Sequence, residues 1–207
     1  MWFSIVIGVL VSYFLGNLNG AVLISALMHD DVRSHGSGNA GLTNFIRNYG
    51  AGRALYVIFI DAGKAALGCV VTALLLQPYG MVLEGLTIGG TAAMLGHTFP
   101  VLLGFKGGKG ILSGLFIALT VDWRIAVLIL GIFAIVYFST RYVSLSSILA
   151  AAGFSAGFAI FHHDNLTVMI LGILMGLLAI FMHRANIVRL IKGKESKTDL
   201  FSLGKQI

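Results

Sequence analysis

Three stretches of this chain concentrate residue types that bind phosphorylated molecules. The first runs from Gly36 to Arg47 and reads GSGNAGLTNFIR. Its glycines let the backbone approach a ligand, and Arg47 supplies a forked cation suited to phosphate. Four small polar side chains add hydrogen-bonding groups: Ser37, Asn39, Thr43 and Asn44. We interpret this stretch as a substrate-binding loop. The alternative is a flexible glycine loop between helices, and a dinucleotide fingerprint fails because no strand precedes the glycines.

The second stretch, HTFPVLLGFKGGKG, extends from His97 to Gly110. Lys106 and Lys109 lie among four glycines, which are Gly104, Gly107, Gly108 and Gly110. Backbone N–H groups in such turns, together with the N-terminus of a following helix, form an anion site. This is not a Walker A loop, since Gly110 follows Lys109 where that motif has Ser or Thr. A basic loop that only sets membrane orientation is the alternative, and His97 alone is equally consistent with a buried, hydrogen-bonded histidine.

The third stretch, HRANIVRLIKGKESK, begins at His183. A basic tail beside a membrane meets anionic lipid headgroups, which explains its lysines and arginines. That interpretation leaves Asn186 and Glu195 unexplained, so we include both with His183 among the candidate site residues.

Asp61 and Lys64 form a further candidate pair within an apolar run. Lys64 lies about ten residues into that run, hence about 15 Å deep in a straight helix. An ionisable residue at such depth is a functional hypothesis by default, and Asp61 at i−3 is its expected partner. A purely structural ion pair is the alternative. Cys69 on the same run has no basic neighbour and is interpreted as inert packing.

The amino-acid composition indicates what class of protein carries these residues. Of the 207 residues, 57% are hydrophobic and only 11% are charged, against about 25% charged in an ordinary soluble domain. Mean hydropathy is +0.94. These values exclude a disordered chain and a nucleic-acid-binding module, and they favour an integral membrane protein. The single Cys excludes an internal disulfide.

Seven apolar segments predict an all-α, polytopic helical bundle, because helices satisfy their own backbone in lipid. We treat the chain as one domain over 1–207. The segments are Met1–Met28, Ala54–Leu76, Glu84–Leu103, Ile111–Thr120, Arg124–Ser139, Leu145–Phe161 and Thr167–His183. Ile111–Thr120 is short for a span, since ten residues rise only about 15 Å. The alternatives are a tilted helix, a partly submerged helix, or fusion with the next segment into one long helix.

The positive-inside rule predicts an N-terminus outside and a cytoplasmic C-terminus. With seven spans, 12 of the 14 Lys and Arg residues fall on the inner side. They are Arg33, Arg47, Arg53, Lys106, Lys109, Arg141, Arg184, Arg189, Lys192, Lys194, Lys197 and Lys205. Only Arg124 lies outside, with Lys64 inside a span. The net charge of +6 therefore gathers on the face that carries the three polar stretches.

Together these stretches resemble the bacterial acyl-phosphate–glycerol-3-phosphate acyltransferases of the PlsY type. The resemblance rests on five motifs in the family's order: GSGNAGLTNFIR (36–47), DAGK (61–64), GHTFPVLLGFKGGKG (96–110), YVSLSSI (142–148) and HRANIVRLIKGKESK (183–197). It implies a seven-helix protein of the bacterial cytoplasmic membrane with its active site on the cytoplasmic side. The implied reaction moves a fatty acyl group from acyl phosphate to the 1-hydroxyl of glycerol 3-phosphate, which yields lysophosphatidic acid and phosphate.

The resemblance also implies roles for individual residues. Ser37 and Arg47 are expected to be essential, and the glycine loop with Lys106 and Lys109 to bind glycerol 3-phosphate. His183 and Asn186 support activity, and Glu195 holds the tail in place. From the residues themselves we expect four cations to hold the two phosphates: Arg47, Lys64, Lys106 and Lys109. Ser37, Thr43 and the Asn side chains then orient the hydroxyl and the carbonyl.

Two other classes of function were compared with this one. A small transporter of phosphorylated solutes would suit Asp61 and Lys64, but the polar residues cluster on one side and no inverted repeat appears. A phosphotransferase using paired Asp and Mg²⁺ lacks its ligands. We therefore expect no metal and no cofactor, with glycerol 3-phosphate, long-chain acyl phosphate and membrane lipid as partners. A functional link to an enzyme that forms acyl phosphate is also expected.

Overall fold

The computed structural model describes residues 1–198, and every regular element among them is helical. Lys205, which the orientation argument used, lies outside this range. The helices are α1 (Trp2–Asn17), α2 (Gly20–Leu27), α3 (Leu42–Tyr49), α4 (Ala51–Leu76), α5 (Val82–Thr98), α6 (Ile111–Val121), α7 (Trp123–Thr140), α8 (Val143–Phe161), α9 (Leu166–Met182) and α10 (Arg184–Ile191). Three short 3₁₀ turns cover Val32–Ser34, Gln77–Tyr79 and Val101–Leu103.

Four of these helices are long and apolar enough to cross a membrane, namely α4, α5, α7 and α8. Two bent pairs, α1 with α2 (43°) and α9 with α10 (54°), raise the number to as many as six spans within residues 1–198. Helix α6 is apolar but shorter. The all-helical membrane fold is thus confirmed, while the number of seven spans and the orientation of the termini stay predictions.

The first predicted span differs from the structure because it is broken after Asn17. Two asparagines account for the break, since their side chains compete with the helix for backbone groups. Asn17 donates to the carbonyl of Tyr13. Asn19 caps α2 by accepting from the backbone N–H of Val22. The polar break at Asp122 likewise separates α6 from α7, because its carboxylate caps α7 through the N–H of Arg124. The fused-helix alternative is therefore wrong.

Glycines bring α1, α4 and α5 into close contact. A Cβ at Gly16 would lie 2.2 Å from the carbonyl oxygen of Ala93, and one at Gly96 would lie 2.1 Å from that of Tyr13. A Cβ at Gly89 would lie 2.1 Å from the carbonyl of Gly68. Without a hydrophobic drive between helices in lipid, such backbone contact is a main source of helix association. These three helices form a rigid support for the loops at one end.

The remaining long helices pack around buried aromatic rings. Phe154 and Phe158 on α8 are 4% and 0% exposed and stack on each other with centroids 4.9 Å apart. Gly172 on α9 lies directly against the Phe158 ring. One end of the bundle brings together four segments. They are the start of α6, the end of α7, the start of α8 and the segment that follows α9.

Candidate active site

One cavity of about 760 Å³ lies where the three polar stretches meet. Its polar wall contains most of the residues that the sequence marked as candidates. They are Ser37, Asn39, Thr43, Asn44, Arg47, Asp61, His97, Lys109, Gly110, His183, Asn186 and Glu195. The structure thus gathers into one place residues that lie up to 158 positions apart in the chain.

Asn44 shapes the first loop from inside. Its amide donates to the carbonyls of Val32 (3.0 Å), His35 (3.0 Å) and Asn39 (3.1 Å). Its Oδ1 accepts from the backbone N–H of Ser37 at 3.0 Å. The side chain is only 2% exposed and its hydrogen-bonding capacity is largely used by the loop. Asn44 therefore positions Ser37, and the loop turns so tightly that a Cβ at Gly36 would clash with its Oδ1.

Arg47 lies in the last turn of α3 and is exposed. Its guanidinium donates to the hydroxyl of Thr198 in the C-terminal tail. Thr198 is also held by its own backbone, because its N–H donates to the carbonyl of Arg141 at 3.0 Å. The segment after α10 therefore extends to α3, where Thr198 contacts Arg47. Ser196 in the same segment lines the cavity.

A chain of polar contacts joins the second stretch to the third. Lys109 donates to Oδ1 of Asn186 at 2.5 Å, and Asn186 donates in turn to Oε1 of Glu195 at 2.8 Å. Nε of Arg189 donates to Oε2 of the same carboxylate at 2.6 Å. Glu195 thus fixes both Asn186 and the tail, and Asn186 fixes the ammonium of Lys109 at the cavity.

Burial lowers the pKa of Lys109 to about 8, and the positive charges of Arg189 and Arg47 lower it further while Glu195 opposes them. Burial raises the pKa of Glu195, but hydrogen bonds from Asn186 and Arg189 outweigh it, so the net pKa is below the usual value. A lysine in such surroundings gains much from an anion that enters the cavity, because the anion offsets the neighbouring cations.

His183 reaches the cavity at the junction of α9 and α10. Its Nδ1 lies 2.8 Å from the carbonyl oxygen of Ala179. Since a carbonyl only accepts, Nδ1 must carry the proton, and the neutral ring keeps Nε2 as an acceptor. His183 is 3% exposed. It therefore offers the cavity a hydrogen-bond acceptor in a fixed orientation.

Lys64, expected to hold a phosphate, does not line the cavity. It is 3% exposed, and all three of its N–H groups have acceptors within the protein. They are Oδ1 of Asp61 (2.7 Å), the carbonyl of Leu18 (2.7 Å) and Nδ1 of His97 (2.8 Å). The expected ion pair with Asp61 is therefore present, but the ammonium has no hydrogen left for a substrate phosphate.

The glycine loop divides into two parts. Lys109 and Gly110 line the cavity, whereas Gly104, Lys106, Gly107 and Gly108 do not, and the side chain of Lys106 is exposed. Gly107 and Gly108 instead pack on His97. The N–H of Gly108 donates to the carbonyl of His97 at 3.1 Å, and a Cβ at Gly107 would lie 2.0 Å from that oxygen.

Sequence reasoning missed several residues of the cavity wall. Ser144 and Ser147 on α8 lie three residues apart on one helical face and both line the cavity, as do Arg189 and Ser196. The motif YVSLSSI contained both α8 serines, but an apolar run offered no reason to prefer their face. The available signal was the spacing of two serines at i and i+3, at the start of an apolar run that follows Arg141.

The other half of the cavity is apolar. Leu112 and Leu115 come from α6, and Leu130 and Phe133 from α7. Leu130 is 50% exposed, so this half of the cavity is not closed off by the packing of α7. No group of three metal-ligating side chains is present within residues 1–198.

The chain is similar to glycerol-3-phosphate acyltransferases in sequence. Residues 6–193 match the family model described as glycerol-3-phosphate acyltransferase. A protein of that name from Finegoldia magna is 38% identical over 196 residues, which cover 94% of this chain and 96% of the relative. One from Prochlorococcus marinus is 40% identical over 194 residues, covering 91% and 95%.

Solved structures show the same similarity in three dimensions. The crystal structure of PlsY (YgiH), an integral membrane glycerol 3-phosphate acyltransferase, in its glycerol 3-phosphate form matches with a TM-score of 0.84 at 32% identity. The match covers 97% of this chain and 98% of that one. The lysophosphatidic acid form matches with a TM-score of 0.83 at 31% identity, covering 98% and 100%.

Proposed function

This chain belongs to the glycerol-3-phosphate acyltransferase family, and we propose that it uses acyl phosphate as the donor. It transfers the fatty acyl group to the 1-hydroxyl of glycerol 3-phosphate and releases lysophosphatidic acid and phosphate. The observation that carries this proposal is the division of one cavity into a cationic half and an apolar half. A phosphorylated head with a fatty chain fits that division.

The acyl-transfer reaction does not require a strong general base. The hydroxyl oxygen attacks the carbonyl carbon of a mixed anhydride, the bond between that carbon and the bridging phosphate oxygen breaks, and the phosphate departs with the bonding electrons. Because phosphate is a good leaving group, positioning and charge stabilisation supply most of the catalysis. The hydroxyl proton passes to a neighbouring acceptor, for which both a substrate phosphate oxygen and Nε2 of His183 are available.

The described contacts suggest how the work is divided among the residues. Arg47 and Lys109 hold phosphate oxygens at the cavity. Lys106 lies outside the cavity wall, and its assignment to phosphate binding rests on the resemblance of the glycine loop to that of the family. Ser37, Asn39 and Thr43 orient the hydroxyl and the carbonyl, while Asn44 holds the loop that carries them. Asn186 and Glu195 keep Lys109 in place. Lys64 has no part in phosphate binding in this arrangement.

We place the cavity on the cytoplasmic side of the bacterial cell membrane, because the excess of Lys and Arg surrounds it. An acyl phosphate is amphiphilic and enters from the bilayer through the apolar half, next to Leu130. Its supply requires an enzyme that phosphorylates a fatty acyl group, which makes a functional link to such an enzyme part of the proposal.

The purified protein in detergent tests the proposal, since detergent abolishes any transport activity. With acyl phosphate and glycerol 3-phosphate we expect lysophosphatidic acid and inorganic phosphate in equal amounts. Arg47→Ala and Lys106→Ala should slow the reaction at limiting glycerol 3-phosphate. Wild-type turnover in both variants would refute the phosphate assignment, and absence of product from the wild-type protein would refute the reaction.

A further inference from the structure

We infer that Lys64 is a positioning residue that fixes His97 as the Nε2–H tautomer, so that Nε2 donates a hydrogen bond to an anionic oxygen of the phosphorylated substrate. The inference rests on the proposed function for the identity of that substrate, and on buried contacts of the chain for everything else. It replaces the expectation that Lys64 itself binds phosphate.

The ammonium of Lys64 determines which ring nitrogen of His97 carries the proton. Nζ lies 2.8 Å from Nδ1 of His97. A lysine ammonium can only donate, so Nδ1 must be the acceptor and cannot hold a hydrogen. The alternative is that His97 donates from Nδ1 to Asp61, but its Oδ1 is 3.9 Å away, beyond hydrogen-bonding distance. A neutral imidazole held in this way carries its proton on Nε2.

The surroundings keep Lys64 charged and in place. Asp61 compensates the charge at 2.7 Å, and the same Oδ1 accepts from the backbone N–H of Gly20 at 3.1 Å. The third hydrogen of the ammonium goes to the carbonyl of Leu18 at 2.7 Å. Both backbone groups belong to the break between α1 and α2, where helical partners are missing. The ion pair is thus anchored on two sides and holds the imidazole in one orientation.

Nε2 of His97 is available to a ligand. Within residues 1–198 it has no hydrogen-bond partner, although His97 lines the cavity. Gly108 packs against this nitrogen, and a Cβ there would lie 2.1 Å from Nε2, so any side chain at this position would block the nitrogen. A neutral donor beside the cations of the cavity suits a phosphate oxygen or the oxyanion of the carbonyl, because it adds no further charge to desolvate.

The two cavity histidines therefore have opposite tautomers. The backbone carbonyl of Ala179 makes His183 an acceptor through Nε2, whereas Lys64 makes His97 a donor through Nε2. One ring is suited to the substrate hydroxyl and the other to a substrate anion. A lysine that bound phosphate directly could not impose this difference.

Nitrogen-15 NMR of the protein in lipid bilayers, labelled at the histidine rings, tests the inference directly. The His97 signals are identified by their loss in His97→Asn. We expect an unprotonated Nδ1 and a protonated Nε2 in the wild-type protein at neutral pH. Inorganic phosphate and glycerol 3-phosphate are added separately, and a shift of the Nε2 signal with either one supports anion contact. A proton on Nδ1, or no shift with either anion, overturns the inference.

Variants separate positioning from a merely structural role. Asp61→Asn combined with Lys64→Met removes the pair without leaving a lone buried charge, and we expect mixed tautomers of His97 with kcat about 10–100-fold lower. His97→Gln places an amide donor near the position of Nε2 and should keep more activity than His97→Asn, whose amide reaches only the position of Nδ1. Equal kcat for Gln and Asn would contradict the inference.

The matched control is the double change Asp122→Asn with Arg124→Met at the opposite end of α7, which should leave kcat and the His97 signals unchanged. A wild-type protein that shows the expected tautomer and phosphate shift but does not use acyl phosphate would refute the proposed donor and leave this inference standing. Normal acyl transfer from acyl phosphate by a protein whose His97 carries its proton on Nδ1 would refute this inference and leave the proposed donor standing.

Discussion

Two polar clusters lie at opposite ends of α6, α7 and α8, and they are built differently. The cavity cluster, around Lys109, Arg47, Arg189 and Glu195, surrounds open space. The far cluster lies at the ends of α6 and α8 and the beginnings of α5, α7 and α9. It consists of Asp122, Arg124, His162, Glu84 and Asn165. Both contain buried polar side chains, so burial of polar groups alone does not identify the functional end.

In the far cluster the positive charges do not outnumber the carboxylates, which are those of Asp122 and Glu84. Asp122 caps α7 and accepts from Arg124 at 2.9 and 2.6 Å. Nε2 of His162 lies 3.2 Å from the same carboxylate. Asn165 caps α9 and donates to Glu84 at 2.8 Å. Such mutual pairing joins the helix ends and is typical of a structural cluster.

In the cavity cluster the cations exceed the carboxylates. Glu195 pairs with Arg189 at 2.6 Å, which leaves Lys109 and Arg47 with neutral partners, Asn186 and Thr198. The lowered pKa of Lys109, about 8, follows from burial beside other positive charges. An excess of positive charge at a cavity, rather than the number of polar residues, therefore distinguishes the candidate binding site from the far cluster.

The largest expected difference between the two ends is for arginine. Arg47→Ala should lower kcat/KM about 100-fold or more, because a forked charge-assisted contact to phosphate is lost. Arg124→Ala should stay within about 2-fold, since Arg124 pairs with Asp122 and lies over the Phe161 ring, outside the cavity wall. Steady-state kinetics with varied glycerol 3-phosphate measures both. Equal losses at the two ends would contradict the distinction.

Glycine-to-alanine substitutions compare a crowded position beside the cavity with an open position on α7. Gly108→Ala places a methyl group 2.1 Å from Nε2 of His97, and we expect about a 10–100-fold loss of kcat/KM. Gly131→Ala on α7 meets nothing within 4 Å and should leave kinetics unchanged. Retained activity in Gly108→Ala would show that neither the approach to His97 nor the conformation of the glycine loop matters.

The pH dependence should come from the cavity end. In the proposed function Lys109 binds phosphate in its protonated form, so KM for glycerol 3-phosphate should rise as pH increases through the Lys109 pKa of about 8. Glu195→Gln removes the charge that raises the pKa of Lys109, and the rise in KM should then begin at lower pH. Glu84→Gln in the far cluster is the control and should leave the KM–pH profile unchanged.

The smallest expected effect on activity comes from the cap of α7. Asp122→Ala removes the contacts to Arg124 and should lower the free energy of unfolding by about 1–2 kcal/mol with little change in kcat. Hydrogen bonding from Arg124 lowers the pKa of Asp122 in the folded protein. This stabilisation is therefore present at neutral pH and lost as pH falls through the lowered pKa. Thermal unfolding in detergent at neutral and acidic pH measures it.

Some features of the structure could be predicted from the sequence and others could not. Apolar runs predict the long helices, and the glycine- and cation-rich stretches predict most of the polar wall of the cavity. The partners of Lys64 were not predictable, because the Leu18 carbonyl becomes an acceptor only where α1 breaks. The contact of Arg47 with Thr198 depends on the path of a tail 151 residues away. Ser144 and Ser147 required the face of α8 to be known, which an almost wholly apolar run does not specify.

In the proposed function the cationic half and the apolar half of the cavity together accept an acyl phosphate. Initial rates of lysophosphatidic acid formation by the purified wild-type protein, with acyl phosphate and acyl-CoA of the same chain length compared as donors, test it most directly. We expect efficient transfer from acyl phosphate and none above background from acyl-CoA, because the phosphates of coenzyme A lie far from its thioester carbonyl and none of them is the leaving group. A preference for acyl-CoA would contradict it.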